Sequence, residues 1–139
     1  MSVGRVEHVD IWQFVASRWE EILFASAQHL SLVAQSLVVA TLIAIAVAAL
    51  VYTSPGRSGA ANAVSAIGLT IPSFALIGLM VAPFGFGVAP AVVVIVFFAV
   101  MPILRNAVVG LAGVDRSLVE SAKGIGMSRL RTFARVELP

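Results

Sequence analysis

The sequence lacks cysteine and is poor in charged residues. Charged residues make up 12% of the 139 positions, and the only histidines are His8 and His29. The absence of cysteine excludes disulfides, thiolate zinc sites and thiol catalysis. Two histidines this far apart do not indicate a metal site. We therefore predict no catalytic residue, no metal site and no cofactor.

The abundant residues are apolar. They make up 60% of the chain, whereas soluble domains are about 45–50% apolar and about 25% charged. A chain this short cannot bury so much apolar surface in a water-facing fold. Its apolar runs are continuous and lack the alternation of a membrane β-barrel. The sequence therefore predicts an all-α polytopic membrane protein.

Two long segments contain no charged residue, one between Glu21 and Arg57 and the other between Arg57 and Arg105. A membrane core of about 30 Å needs about 20 helical residues, so the first segment holds one span and the second holds two. The predicted spans lie near residues 31–53, 61–82 and 88–110. We divide the chain into a lead-in over residues 1–26 and a membrane domain over residues 27–139.

The positive charges predict the orientation. Several Lys and Arg residues follow the third span and Arg57 follows the first, whereas no charge lies between the second and third spans. Positive residues are retained on the cytoplasmic side. We therefore expect the N-terminus outside and residues 115–137 in the cytoplasm.

The lead-in is amphipathic, with Trp12 and Trp19 on one stripe at helical spacing. Two tryptophans on one stripe are typical of a helix that lies in the membrane interface. Packing of this segment on neighbouring spans is an equally open alternative.

Residues 115–137 are charged and amphipathic. Asp115 or Ser117 can cap a first short helix, Gly124 and Gly126 are expected to bend the chain, and a second short helix follows. The arginines here also fit contact with anionic lipid. Nucleic-acid binding is not predicted, and without a GxxxxGK[ST] phosphate loop the chain has no visible means of hydrolysing nucleotide.

The same segment carries a long spaced motif. Glu120-Ser121-Ala122, Gly126 and Val136-Glu137-Leu138-Pro139 resemble the E-A-A-x3-G-x9-I-x-L-P signature of permeases of binding-protein-dependent ABC importers. Serine replaces the second residue of that signature and valine replaces its isoleucine. The resemblance implies a coupling helix that sits in a cleft of a cytoplasmic ATPase subunit. The residues implied in ATPase coupling are Glu120, Ser121, Ala122, Gly126, Val136, Leu138 and Pro139.

Upstream segments narrow the resemblance. The segments 70–76, 101–106 and 113–115 resemble segments of permeases for glycine betaine, choline, carnitine or related osmoprotectants. This implies a bacterial plasma-membrane protein with three partners: an ATP-binding subunit, an extracytoplasmic solute-binding protein and a second permease subunit, identical or different. ATP hydrolysis would then belong to the partner rather than to this chain. Alternatives are a permease for an amino acid or sulfonate, or a membrane fragment that transports nothing.

Such permeases usually have at least two further spans after the L-P of the signature. The resemblance therefore leads us to expect a C-terminally truncated permease, in which the present spans would correspond to the N-terminal part.

Prolines inside the predicted spans mark candidate pathway residues. Pro72 removes a backbone hydrogen bond in the second span, and Thr70 and Ser73 lie beside it. Pro102 has the same effect in the third span. These four residues are expected either to line a polar path or to shape helix packing.

Overall fold

The computed structural model describes residues 10–138. Its helices are α1 (Ile11–Ser17), α2 (Trp19–Val51), α3 (Pro55–Gly68), α4 (Ser73–Phe84), α5 (Val88–Ala112), α6 (Arg116–Gly124) and α7 (Arg129–Thr132), followed by a π-helix over Phe133–Glu137. Residues 10–138 contain no β-strand. The predicted all-α class is confirmed.

The chain divides into two compact units, one ending at Gln35 and the other beginning at Ser36. In the first unit, the Asp10 carboxylate caps α1 by accepting a hydrogen bond of 3.1 Å from the Trp12 backbone N–H. The helix is interrupted at Arg18, and α2 begins at the next residue. Trp12 and Trp19 are both exposed, at 81% and 54%.

Two helices, α2 and α5, are long and apolar enough to cross a membrane. The helices α3 and α4 meet at a bend of 94° and pass the same test only as a pair, which describes either a broken span or a re-entrant loop. The described residues therefore contain two candidate spans, or three if the bent pair counts as one.

The second predicted span differs most from the structure. A single kinked helix is expected over residues 61–82, but α3 ends at Gly68 and α4 begins at Ser73. Proline lacks a backbone N–H and disfavours the α conformation of the residue before it. Both effects disfavour continuation of α3 through Ile71 and Pro72, and Pro72, which is extended, precedes α4 as its N-cap residue.

The core of the second unit joins α2 to α5. Ala44 and Ala48 form a buried cluster with Leu104, Val108 and Leu111. Ala44 and Ala48 have no exposed surface, since small side chains let membrane helices approach closely. Phe133 of the C-terminal segment packs against this cluster.

Candidate functional site

The helix α6 opens the predicted coupling segment, and Asp115 caps it. The Asp115 Oδ1 atom accepts a hydrogen bond of 2.8 Å from the Ser117 backbone N–H. This bond holds the pKa of the Asp115 carboxyl below its ordinary value. Of the two predicted caps, Asp115 is therefore the correct one, because Ser117 already lies inside the helix.

Gly126 ends α6 in a Schellman motif. The Gly126 N–H bonds the Lys123 carbonyl at 2.9 Å, and the Met127 N–H bonds the Ala122 carbonyl at 3.0 Å. Gly126 has φ +81°, a left-handed conformation that glycine adopts without steric penalty. The predicted bend is confirmed at Gly126, whereas Gly124, also expected to bend the chain, still lies in α6.

The chain then returns toward the long helices. The π-helix over Phe133–Glu137 is closed by a bond from the Leu138 N–H to the Phe133 carbonyl. Phe133 packs against the buried cluster of α2 and α5, with its ring centre 6.5 Å from that of Tyr52. The Tyr52 hydroxyl donates a hydrogen bond of 2.6 Å to Glu137 Oε2. The segment is thereby attached to the core rather than free.

The signature residues divide into two groups. Ala122 is buried and Val136 is half-buried, whereas Glu120, Ser121 and Gly126 are exposed. Leu138 is 45% exposed, and Pro139 lies outside the described residues. The structure therefore gives some signature residues a packing role and presents the others at the surface.

The apolar side chains of this amphipathic segment are only partly buried. Ala122 and Phe133 pack inward, but Ile125 is 76% exposed and Leu130 is 78% exposed. A sequence stripe cannot distinguish a face that packs on the same chain from one that is left open. Glu120, Ser121, Ile125 and Leu130 are exposed in this segment and form the predicted coupling surface, called the coupling surface below.

A groove of about 610 Å³ lies beside the π-helix. The carboxyl end of α5 lines one side, including Asn106 and Gly110, and Val136 and Leu138 line another. Two signature residues therefore border a groove rather than the coupling surface.

Three of the four pathway candidates lie at one break between helices, and the fourth lies in α5. Thr70, Pro72 and Ser73 come together at the break between α3 and α4, and all three are exposed. The Thr70 hydroxyl donates to the Ile67 carbonyl at 2.7 Å, so this hydroxyl satisfies the end of its own helix. Pro102 lies inside α5 and is exposed.

Tyr52 is a site residue that the sequence reasoning missed. Its partner Glu137 occupies the variable position of the terminal signature, 85 residues away. No local pattern links positions so far apart, so only the folded chain reveals the pair.

The architecture is that of a helical membrane domain that carries an exposed helix–bend–helix segment at the end of its last long helix. The chain belongs to the family described as binding-protein-dependent transport system inner membrane component, whose sequence model matches residues 40–139. Members of this family are inner-membrane components of transport systems.

Two relatives illustrate the similarity. The chain is 32% identical over 129 residues to the choline transport system permease protein OpuBB of Bacillus subtilis (strain 168), and the match covers 93% of this chain and 59% of that protein. It is 35% identical over 126 residues to the osmoprotectant import permease protein OsmY of Salmonella typhimurium (strain LT2), and that match covers 88% of this chain and 53% of that protein. The chain thus spans somewhat more than half the length of these relatives.

Proposed function

We propose that the chain acts as a membrane-spanning permease subunit of an ABC importer and helps to translocate osmoprotectants such as glycine betaine, choline or carnitine. The observation that carries this proposal is the signature segment, folded around Gly126 into a surface with exposed apolar side chains. The similar proteins OpuBB and OsmY, named for choline transport and osmoprotectant import, support the choice of solute.

The coupling surface is the proposed contact for a cytoplasmic ATP-binding subunit. Ile125 and Leu130 offer apolar contact area, and the exposed Glu120 and Ser121 offer polar contacts. Ala122 and Gly126 support the surface by packing and by backbone conformation. A solute-binding protein and a second permease subunit, identical or different, complete the proposed assembly.

The bent pair α3–α4 is the proposed third crossing. Non-helical backbone at membrane depth is tolerated where it is buried in protein or lines a water-filled cavity. The break contains Thr70 and Pro72 and precedes Ser73, which supports these residues, with Pro102 on α5, as pathway-lining candidates.

The lead-in is proposed to lie in the membrane interface. In α1, Ile11 and Trp12 are exposed, and the Arg18 guanidinium lies 5.1 Å from the centre of the Phe14 ring. Exposed aromatic side chains beside a cation are typical of helices at the boundary between headgroups and acyl chains.

The proposed orientation places the N-terminus outside and the coupling surface in the cytoplasm. The Tyr52–Glu137 hydrogen bond supports it, because the bond puts the end of α2 on the same side as the signature segment. Arg57 follows α2 within a few residues. Arg57 and the basic residues of the signature segment would then face the same side of the membrane, which agrees with retention of positive charge in the cytoplasm.

Cysteine labelling checks this orientation. We expect Phe86→Cys, in the exposed loop before α5, to react with an impermeant maleimide added outside intact cells, since Phe86 is 96% exposed. Gly59→Cys, at an open position of α3, should react only after the cells are opened. The chain has no native cysteine, so label on the purified chain reports only the introduced residue. The reverse pattern would invert the orientation and exclude the coupling role.

Deletion of the gene tests the transport proposal. We expect cells without the chain to lose ATP-dependent uptake of labelled glycine betaine, choline or carnitine, and the chain restored at its own locus to recover it. Loss of amino acid or sulfonate uptake instead would favour the alternative permease. Unchanged uptake of every solute would favour a membrane fragment without transport activity.

A further inference from the structure

The end of α2 and the end of the signature segment are joined by a single polar contact. The Tyr52 hydroxyl lies 2.6 Å from Glu137 Oε2 in a partly buried setting. Among residues 10–138, the other side-chain hydrogen bonds connect residues at most four positions apart. This contact is thus the side-chain hydrogen bond that links distant elements.

Both partners are positioned to transmit a displacement. Tyr52 directly follows α2, and its N–H still bonds the Ala48 carbonyl at 2.9 Å, so its backbone continues the helical hydrogen-bond pattern. Glu137 is the last residue of the π-helix, whose closing bond runs from the Leu138 N–H to the Phe133 carbonyl. Neither side chain is on a freely moving loop.

An apolar contact accompanies the hydrogen bond. Phe133 packs on the cluster that contains Leu104 and Val108 of α5, and its ring faces Tyr52 at a tilt of 48°. The signature segment therefore contacts the cluster shared by α2 and α5 through Phe133, and it contacts Tyr52, at the end of α2, through Glu137. The short hydrogen bond and the packing of Phe133 therefore hold the same end of the signature segment against α2 and its neighbours.

We propose that Tyr52 is a positioning residue, whose hydroxyl holds Glu137 so that movement of the coupling surface is passed to α2. This inference rests on the proposed transport function. The Tyr52–Glu137 pair lies outside the coupling surface. In this proposal the coupling surface binds the ATP-binding subunit, and the pair passes the resulting movement to α2.

Single-atom and isosteric variants isolate the hydrogen bond. Tyr52→Phe removes only the hydroxyl, and Glu137→Ala removes the acceptor. Glu137→Gln keeps an acceptor oxygen without the charge and should weaken the contact less than Glu137→Ala. Ser58→Ala is the matched control, because its hydroxyl bonds only the Pro55 carbonyl of its own helix turn.

Hydrogen exchange of the whole chain in lipid nanodiscs tests the tether directly. In Tyr52→Phe and Glu137→Ala we expect amides of residues 133–138 to exchange about tenfold faster, as expected for loss of one hydrogen bond to a charged group. Ser58→Ala should exchange at the wild-type rate, and Glu137→Gln, which keeps an acceptor without the charge, should exchange at a rate between those of wild type and Glu137→Ala. Unchanged exchange in Tyr52→Phe would overturn the proposal, whatever transport shows.

Coupling is tested with the variants at the chain's own locus, where every natural partner is present. We expect Tyr52→Phe to leave ATP hydrolysis in membrane vesicles at the wild-type rate and to lower glycine betaine uptake about tenfold, with Glu137→Gln retaining more uptake than Tyr52→Phe. A parallel loss of hydrolysis and uptake would indicate a merely structural role and overturn the assignment. Failure of the transport proposal would give a different result, because deletion of the chain would then leave uptake unchanged. In that case hydrogen exchange alone would show whether Tyr52 holds Glu137.

Discussion

Replacing Gly126 with valine is expected to reduce osmoprotectant uptake to the level of cells without the chain. Gly126 has φ +81°, and a β-branched residue in this left-handed region is a genuine conformational outlier. The strain, about 1–2 kcal/mol for the conformation alone, would break the Schellman bonds and reorient the coupling surface. Uptake of labelled glycine betaine, with immunoblotting of the membrane fraction, measures the effect.

Gly124→Val is the matched control for this experiment. Gly124 lies two residues earlier, at the end of α6; its φ is not positive, and no atom of another residue would crowd an added Cβ. The variant should insert normally and retain most of the uptake. Full uptake by Gly126→Val would show that the bend does not shape a coupling element.

Ala48→Phe is expected to prevent stable accumulation of the chain in the membrane. Ala48 has no exposed surface and packs in the cluster with Leu104 and Val108. A phenyl ring there would push α2 from α5, and overpacking of a dense core costs about 1–3 kcal/mol or more. Pulse-chase labelling should show rapid degradation of the variant.

Ala46→Phe provides the comparison for this variant, because Ala46 lies on the exposed face of the same helix. The larger apolar side chain should be tolerated there, and the half-life should match that of the wild type. Equal half-lives for the Ala46 and Ala48 variants would mean that the α2–α5 cluster is not the stabilising contact.

Long apolar segments are the part of this fold most readily predicted from sequence. The first and third predicted spans fall on α2 and α5, apart from the last residues of the first. Their continuous apolar runs leave few alternatives in lipid, where backbone groups must bond within the segment. The expected break before the third span is also present, with Gly85 and Gly87 at positive φ.

The second span shows where this reasoning fails. The apolar run over residues 61–82 cannot specify whether Pro72 bends a helix slightly or separates two helices. The angle of 94° between α3 and α4 depends on how both pack against α5. Helix propensity is a local property, whereas the direction of a chain after a break is set by contacts with other helices.

The sequence by itself determined the all-α membrane class, the glycine bend and the signature segment, because each depends on local composition, periodicity or spacing. Only the tertiary structure decided which signature residues are buried, where α3 separates from α4, and that Tyr52 meets Glu137. The physical reason is distance along the chain. Local hydrogen bonds and apolar runs are encoded within a few turns of helix, but burial and contacts between distant residues arise only when α2, α5 and the π-helix are packed together.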